Sequence, residues 1–467
     1  MTQGKVYLVG AGPGDLGLIT FKGHQIIGQA EVILYDHLSP KELLRLASPD
    51  AELISVGKFA SQHTLPQEGI NALIVEKAKE GKMVCRLKGG DCYMFGRGGE
   101  EALACYEAGI EFEVIPGITS ALAAPCYAGI PPTHRDCTPD IAFVTGHRKA
   151  GYTDESGDWN IEIPKAGTVV FFMSVGNIER IIRSLIQQGW AEDTPIAAIE
   201  HGTCYDQRVI PGKLNDFMAK AQKAVLRTPA LFIVGEVVDL HDKLDWFGKK
   251  KNVLILGNHP DRYAHLGNVV HRRIIDCVGL DDTTHVDAML NTIPTYDWIV
   301  LTSVNSAKFL FERLFAQGQD VRVLGSVKIA AIGKSTASRL KEYGLQADLI
   351  PDTESSGGLL EAFSKDDVTG KRMLLPRAEI ATDELPDGLE AMGAVVEKVV
   401  VYKTVDVEPD EVDFDYIDQI LFTSGSTVRA FAKHFGQVPD HIKVYCLGQP
   451  TLNIAQDHGI QGEIVPS

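Results

Sequence analysis

The sequence has no apolar run approaching the ~18 residues that a membrane-crossing helix needs. It also has no Cys-x-x-Cys pair and no excess of basic charge. Its most apolar stretch, "TVVFFM", is the size of a strand. The eight cysteines, at 85, 92, 105, 126, 137, 204, 277 and 446, are scattered. In a chain this long, that argues against a disulfide frame or a zinc site and for reduced thiols. The opening "MTQGK" runs straight into a strand-like segment and leaves no room for a signal peptide, so a cytoplasmic protein is expected. A net charge of −17 disfavours nucleic acid and anionic membranes as partners, but leaves room for a local basic pocket around an anionic small molecule.

What is present is alternation. Runs such as "VYLVG", "EVILYD", "KMVCRLK", "TVVFFMS", "PIAAIE" and "PALFIVGEV" alternate with amphipathic stretches such as "IERIIRSLIQQGW". This predicts α/β architecture with mostly parallel sheets. The length predicts about three domains at roughly 150 residues each. A hydrophilic "KKKN" after Gly248 marks the main boundary and reads as a solvated linker. The second half carries a diverged repeat: "LTSVNSAKFLFERLF" resembles "FTSGSTVRAFAKHF", and "KIAAIGKSTASRLKEYGL" resembles "KVYCLGQPTLNIAQDHGI". Two similar α/β domains of about 110 residues explain it better than a solenoid, whose repeats are far shorter.

The first glycine loop, "VYLVGAGPGDLGLIT", imitates a dinucleotide fingerprint, with Asp36 ending the next strand as a ribose-binding acid would. The spacing fails. A pattern begun at Gly10 meets Asp15 where glycine is required, and one begun at Gly12 keeps Asp15 inside the turn. A carboxylate there opposes pyrophosphate, and Pro13 removes an N–H. The glycines predict close backbone approach to a ligand, and the acidic loop suits a cationic or neutral one better. S-adenosylmethionine, with its sulfonium and ammonium groups and no phosphate, is of that kind. In "RLKGGDCYMFGRGGEEA", Glu100 and Glu101 occupy a helix's first turn, where the macrodipole favours them, and this suffices for Glu101. Glycines on both sides of Arg97 predict a closely packed backbone there.

The ordered set "VGAGPGDLGLIT", "YDHL", Gly57-Lys58 followed by His63, "RLKGGD", "FGRGGEE", "PGITSA", "PPTHR" and "EHGTCYDQRV" resembles the uroporphyrinogen-III C-methyltransferases, a class of tetrapyrrole methylases. The likeness runs from about residue 6 to 240. It implies two α/β domains, about 1–125 and 126–248, with a cleft between them, and a homodimer joined through this half. It also implies that Pro13, Gly89, Gly90, Asp91, Met94, Thr119, Ser120, Met173 and Gly202 hold S-adenosylmethionine. Asp36 and Lys58 match proton-transfer positions, and Arg97, Glu100 and Arg135 match residues beside the methyl acceptor. Uroporphyrinogen carries eight carboxylates, so Arg97, Arg135 and Arg148 are candidate clamps. Asp36 or Glu100 is a plausible base, whereas arginine is not; a strand-end carboxylate capping a nearby turn is an equal reading of Asp36. Cys92 stands where the family usually has proline, and reads as filler rather than nucleophile.

From about 252 to 464 the paired Thr-Ser turns resemble uroporphyrinogen-III synthase. That family implies one domain at about 251–284 plus 407–467 and another at about 285–406, joined by strands. "VVVYKT" would be a joining strand with Tyr402 as its catalytic tyrosine, although a strand tyrosine with a satisfied hydroxyl is an equal reading. Thr302, Ser303, Asn305, Thr336, Ser424, Ser426 and Thr451 would surround substrate carboxylates, or serve as ordinary helix caps. "LGNHPDRY" departs from the family, which often has an arginine directly after this strand. The expectation is a bifunctional enzyme, with no metal, whose second half cyclises hydroxymethylbilane to uroporphyrinogen III and whose first half methylates it to precorrin-2. Alternatives are methylation of another corrinoid, and a second half that binds tetrapyrrole without catalysis.

Overall fold

In the computed structural model, which describes residues 4–57, 65–146, 163–258 and 260–465, the apolar runs form four five-stranded sheets. The chain divides into two compact units, Met1–Asn252 and Val253–Ser467. Among the described residues no helix is long and apolar enough to cross a membrane.

The first sheet joins β1 (Lys5–Gly10), β2 (Val32–Tyr35), β3 (Glu52–Ser55), β4 (Met83–Lys88) and β5 (Glu111–Ile115) in the order β3-β2-β4-β1-β5. All its pairings are parallel. Side chains alternate across a strand. In β4, Cys85 and Leu87 therefore join the core holding Ile26 and Ile27. Val84 packs on the other side with Ile70, Ile74 and Ala102, and Arg86 and Lys88 share its parity.

The second sheet joins β6 (Ile141–Thr145), β7 (Thr168–Phe172), β8 (Pro195–Glu200), β9 (Arg208–Lys213) and β10 (Ala230–Val234) in the order β6-β7-β10-β8-β9. Here the expectation of mostly parallel strands is corrected. Only β6–β7 is parallel, while β7–β10, β10–β8 and β8–β9 are antiparallel. Fully apolar runs carry no directional signal, and the β8–β9 connection at 201–207 is shorter than the crossover of a dozen or so residues that parallel pairing needs. The helix Ile178–Gln187 covers this sheet with Ile178, Ile181, Ile182 and Leu185, one apolar stripe at helical spacing.

The second unit contains β11 (Asn252–Ile255), β12 (Asn268–His271), β13 (Ile275–Val278), β14 (Trp298–Leu301), β15 (Lys328–Ala331), β16 (Arg372–Ala378), β17 (Val395–Asp406), β18 (Gln419–Phe422), β19 (Lys443–Cys446) and β20 (Glu463–Ile464). One sheet runs β12-β11-β18-β19-β20 and the other β13-β17-β16-β14-β15. The second lobe is thus inserted between β12 and β18 of the first. The chain enters it before β13, which pairs antiparallel with β17, so the crossing precedes the expected boundary at 284.

Three strand-end loops of the first unit meet backbone to backbone. Gly12 and Gly90 exchange hydrogen bonds, Gly12 N–H to Gly90 O at 3.1 Å and Gly90 N–H to Gly12 O at 2.7 Å. Gly12 and Gly90 have φ of +79° and +67°. A Cβ on Gly117 would lie 2.1 Å from Gly90 O and 2.7 Å from Gly10 Cα. The Asp91 carboxylate completes the junction, accepting from Tyr93 N–H at 2.8 Å, Met94 N–H at 3.0 Å and Gly117 N–H at 3.0 Å. The prediction is that Gly117→Ala destabilises this unit by about 1–3 kcal/mol in chemical denaturation, as for overpacking. Gly99→Ala, in a helix with nothing within 4 Å of the added carbon, should instead be neutral or stabilise by ~0.5–1 kcal/mol. Equal stability for the two variants would contradict the junction's role.

Candidate functional site

Around the glycine junction the backbone is strained. Among the described residues six non-glycine residues have positive φ, and five of them, Phe95, Arg97, Met173, His201 and Thr203, lie on loops converging here. Such conformations cost about 1–3 kcal/mol each and persist where the surroundings over-determine them. The first sheet's loops meet those of the second directly. Phe95 packs on Phe172 with ring centroids 4.9 Å apart. A Cβ on Gly14 would strike Cys204 Sγ, and one on Gly202 would strike Ala124. Met94, Thr119, Ser120 and Met173 stand on these converging segments. Thr119 caps the helix Ser120–Tyr127, and Met173 is exposed.

Asp15 has a different role from the one its charge implies. Its Oδ1 accepts from Gly17 N–H at 2.8 Å, its Oδ2 accepts from the Tyr127 hydroxyl at 2.6 Å, and its own N–H donates to Thr203 Oγ1 at 3.1 Å. It is a strut between the two halves of the unit rather than a charge facing a ligand. Asp91 likewise spends both oxygens on backbone N–H groups. The glycines beside both serve loop-to-loop contact.

Asp36, at the carboxyl end of β2, belongs to a charged group that sequence reasoning missed. Arg86 donates to Asp36 Oδ1 at 2.6 Å and to Glu101 Oε1 at 2.9 Å. Lys88 Nζ donates to the same Glu101 oxygen at 3.0 Å and lies 3.9 Å from Asp36 Oδ2. Burial works against the Arg86 charge, but Glu101 and Asp36 outweigh it and hold the guanidinium above its ordinary pKa. Glu101 does stand in the first turn of its helix, as expected, but it is fully buried and ion-paired, so the macrodipole alone does not account for it. Charged residues two apart inside an otherwise apolar strand, "RLK", were the available signal.

Arg97 binds Glu100 through Nε–Oε1 at 2.8 Å and Nη2–Oε2 at 2.6 Å. Its flanking glycines pack on the Cys92 carbonyl, since a Cβ on either Gly96 or Gly98 would lie within 2.7 Å of it. Cys92 is buried, and burial pushes its thiol up to about 12. Arg135 is exposed in the turn between His134 and Thr138, without an ion-pair partner among the described residues. His201, also missed, holds Asp206 at 2.7 Å, and that carboxylate raises its pKa. Lys58, His63 and Arg148 lie outside the described residues.

In the second unit the repeated Thr-Ser turns are two copies of one cap. Ser303 Oγ accepts from Ser306 N–H at 2.9 Å and Ser424 Oγ from Thr427 N–H at 3.4 Å, each in a reciprocal capping box on an extended backbone. Tyr402 on β17 is buried, stacks on Phe309 at 5.3 Å, and has its hydroxyl 3.3 Å from Ser303 Oγ. Burial raises its pKa, only partly offset by the bond to Ser303. Asn305 Nδ2 reaches Cys277 Sγ at 3.1 Å, a neighbour that sequence reasoning did not single out. Thr336 and Thr451 are buried in their helices, so they serve packing rather than an open carboxylate site.

Comparison with known proteins gives the same division. Residues 5–217 match the family described as tetrapyrrole (corrin/porphyrin) methylases, and residues 263–467 match uroporphyrinogen-III synthase HemD. The porphyrin biosynthesis protein HemD of Ruminiclostridium josui is 35% identical over 99% of this chain and 95% of its own length. The S-adenosyl-L-methionine-dependent uroporphyrinogen III methyltransferase of Methanosarcina barkeri is 51% identical over 52% of this chain and 94% of its own. A crystal structure of uroporphyrin-III-C-methyltransferase from Thermus thermophilus is 38% identical and covers 52% of this chain and 99% of that one, with a TM-score of 0.45. The chain belongs to the tetrapyrrole methylase family through its first unit and to the uroporphyrinogen-III synthase family through its second, a fusion of two enzymes of porphyrin biosynthesis.

Proposed function

We propose that the second unit closes hydroxymethylbilane to uroporphyrinogen III with inversion of its last ring. The first unit then methylates that product twice from S-adenosylmethionine to give precorrin-2. The observation that carries the methyltransferase reading is the convergence of five strained, non-glycine loop positions on one glycine junction. The donor set fits the methyl donor. Among the described residues, the segments 11–14, 89–95, 117–120 and 202–203 contain no lysine or arginine, which suits a ligand without phosphates. Pro13, Gly89, Gly90, Met94, Thr119, Ser120, Met173 and Gly202 would line it, with Asp91 holding their loops together. When bound, S-adenosylmethionine supplies an electrophilic methyl group.

The protein's own residues then orient the acceptor and take a proton. The Arg97–Glu100 pair and exposed Arg135 meet the acceptor's carboxylates, and positioning supplies most of the acceleration. As the new carbon–carbon bond forms, the ring system must shed a proton, and Asp36 accepts it, with Lys58 as its proton-transfer partner. In the second unit Tyr402 gives its proton to the departing hydroxyl, which leaves as water when the carbon–oxygen bond breaks. Ser303 keeps the phenol in place. The helix starts behind Ser303 and Ser424, with Thr302, Asn305 and Ser426, would face substrate carboxylates. The scattered free thiols support a cytoplasmic setting. Exposed Leu103 and Tyr106, on the helix Gly98–Glu107, offer an apolar face for a homodimer.

Asp36→Asn is expected to lower kcat for methyl transfer by roughly 10²–10⁴-fold, the usual contribution of a general base. Its affinity for S-adenosylmethionine, read by calorimetry, should stay near the parent value. Full activity in this variant would remove Asp36 from the mechanism. Tyr402→Phe should slow hydroxymethylbilane cyclisation by about 10²-fold and leave methylation of supplied uroporphyrinogen III untouched. If cyclisation is unaffected, the acid lies elsewhere. A second unit that binds tetrapyrrole but never cyclises it would be a binding module instead.

A further inference from the structure

The group around Asp36 is more than a brace for the sheet. Arg86 and Lys88 are two residues apart on β4 and so project to the same face. Glu101 meets them from the helix Gly98–Glu107, and the Glu101 side chain is wholly buried. The side chains of Arg86 and Lys88 are 2% and 4% exposed, against 29% for Asp36. Two positive and two negative charges thus form a neutral quartet with a single solvent-facing member. Glu101 Oε2 is buried and has no hydrogen-bond partner among the described residues. An orphaned carboxylate oxygen is costly, and packed apolar side chains generally serve stability as well as buried ions do. Stability alone therefore accounts poorly for the arrangement.

We propose that Arg86, Lys88 and Glu101 are positioning residues for methyl transfer. Together they fix the Asp36 carboxylate at the strand end and balance its charge. This rests on the reading of Asp36 as proton acceptor. Arg86 grips one Asp36 oxygen, and Glu101 in turn orients both Arg86 and Lys88. The Asp36 N–H bonds Leu87 O at 3.3 Å, so β4 anchors the backbone of Asp36 as well as its side chain. Of the other groups around the quartet, Arg97 carries a charge within electrostatic reach of Glu101, and Asp91 acts on Cys92, while the two thiols stay neutral. Burial pushes the Cys92 thiol up to about 12 and the Cys105 thiol up to about 11. Gln67, from the helix Gln67–Lys79, reaches Glu101 at 3.3 Å and does not titrate. Exposed His37 follows Asp36 in the chain.

The sign of the charge balance is testable in the full chain, with saturating S-adenosylmethionine and uroporphyrinogen III. Glu101→Gln removes a negative charge and leaves excess positive charge beside Asp36. The acid limb of the kcat–pH profile should then move down by about one unit. Lys88→Met removes a positive charge, and the limb should move up by about one unit, roughly a tenfold loss of kcat on the limb. The double variant restores neutrality and should return the limb to its parent position, which also keeps the test open if one single variant folds poorly. Shifts of the same sign, or rates that fall with the limb unmoved, would overturn the proposal. A limb that persists in Asp36→Asn would instead overturn the reading of Asp36 itself.

Discussion

The contact of Gly117 with Gly10 and Gly90 is the constraint on which the first unit depends. Three loops from three strand ends touch through backbone atoms, with no room for a β-carbon at Gly117. Asp91 ties two of those loops together, and Asp15 ties the third to Thr203 and Tyr127 across the unit. Once the loops are locked, Phe95, Arg97, Met173, His201 and Thr203 are held in backbone conformations they would not choose alone. The arrangement of these loops is therefore a product of main-chain geometry, and their side chains inherit their positions.

The two units hold their candidate site residues by different physical means. In the first, an ionic quartet beneath the strand ends holds one carboxylate at the surface. In the second, the same serine cap is used twice, at Ser303 and Ser424, and a buried tyrosine leans on one of the copies. Burial keeps that phenol in its protonated form, which suits a proton donor. The insertion of one lobe into the other leaves β17 as the long element that carries Tyr402.

Much of this was legible in the residues, and most of the exceptions share a cause. The α/β alternation, the serine repeat and the strand ends at Asp36 and Lys88 follow from local patterns. The antiparallel sheet does not, because "ALFIV" and "PIAAIE" are apolar in either direction. Asp15 argued for an anionic loop, yet its oxygens are occupied by partners as far away as Tyr127. Glu101 looked like an ordinary first-turn acid because nothing nearby in sequence reveals that Arg86 and Lys88 face it. Ile275–Val278 joined the wrong lobe in the expected division because its partner, β17, lies more than a hundred residues on. Apart from the local β8–β9 hairpin, these are long-range contacts that composition and periodicity cannot encode.

The proposed function has one chain perform two consecutive steps on the same tetrapyrrole. The direct measurement supplies the purified full chain with hydroxymethylbilane, with and without S-adenosylmethionine, and resolves the products over time. Uroporphyrinogen III should accumulate without the methyl donor, and the dimethylated ring should replace it when the donor is present. A macrocycle whose last ring is not inverted, or type III ring that stays unmethylated with the donor present, would contradict the claim.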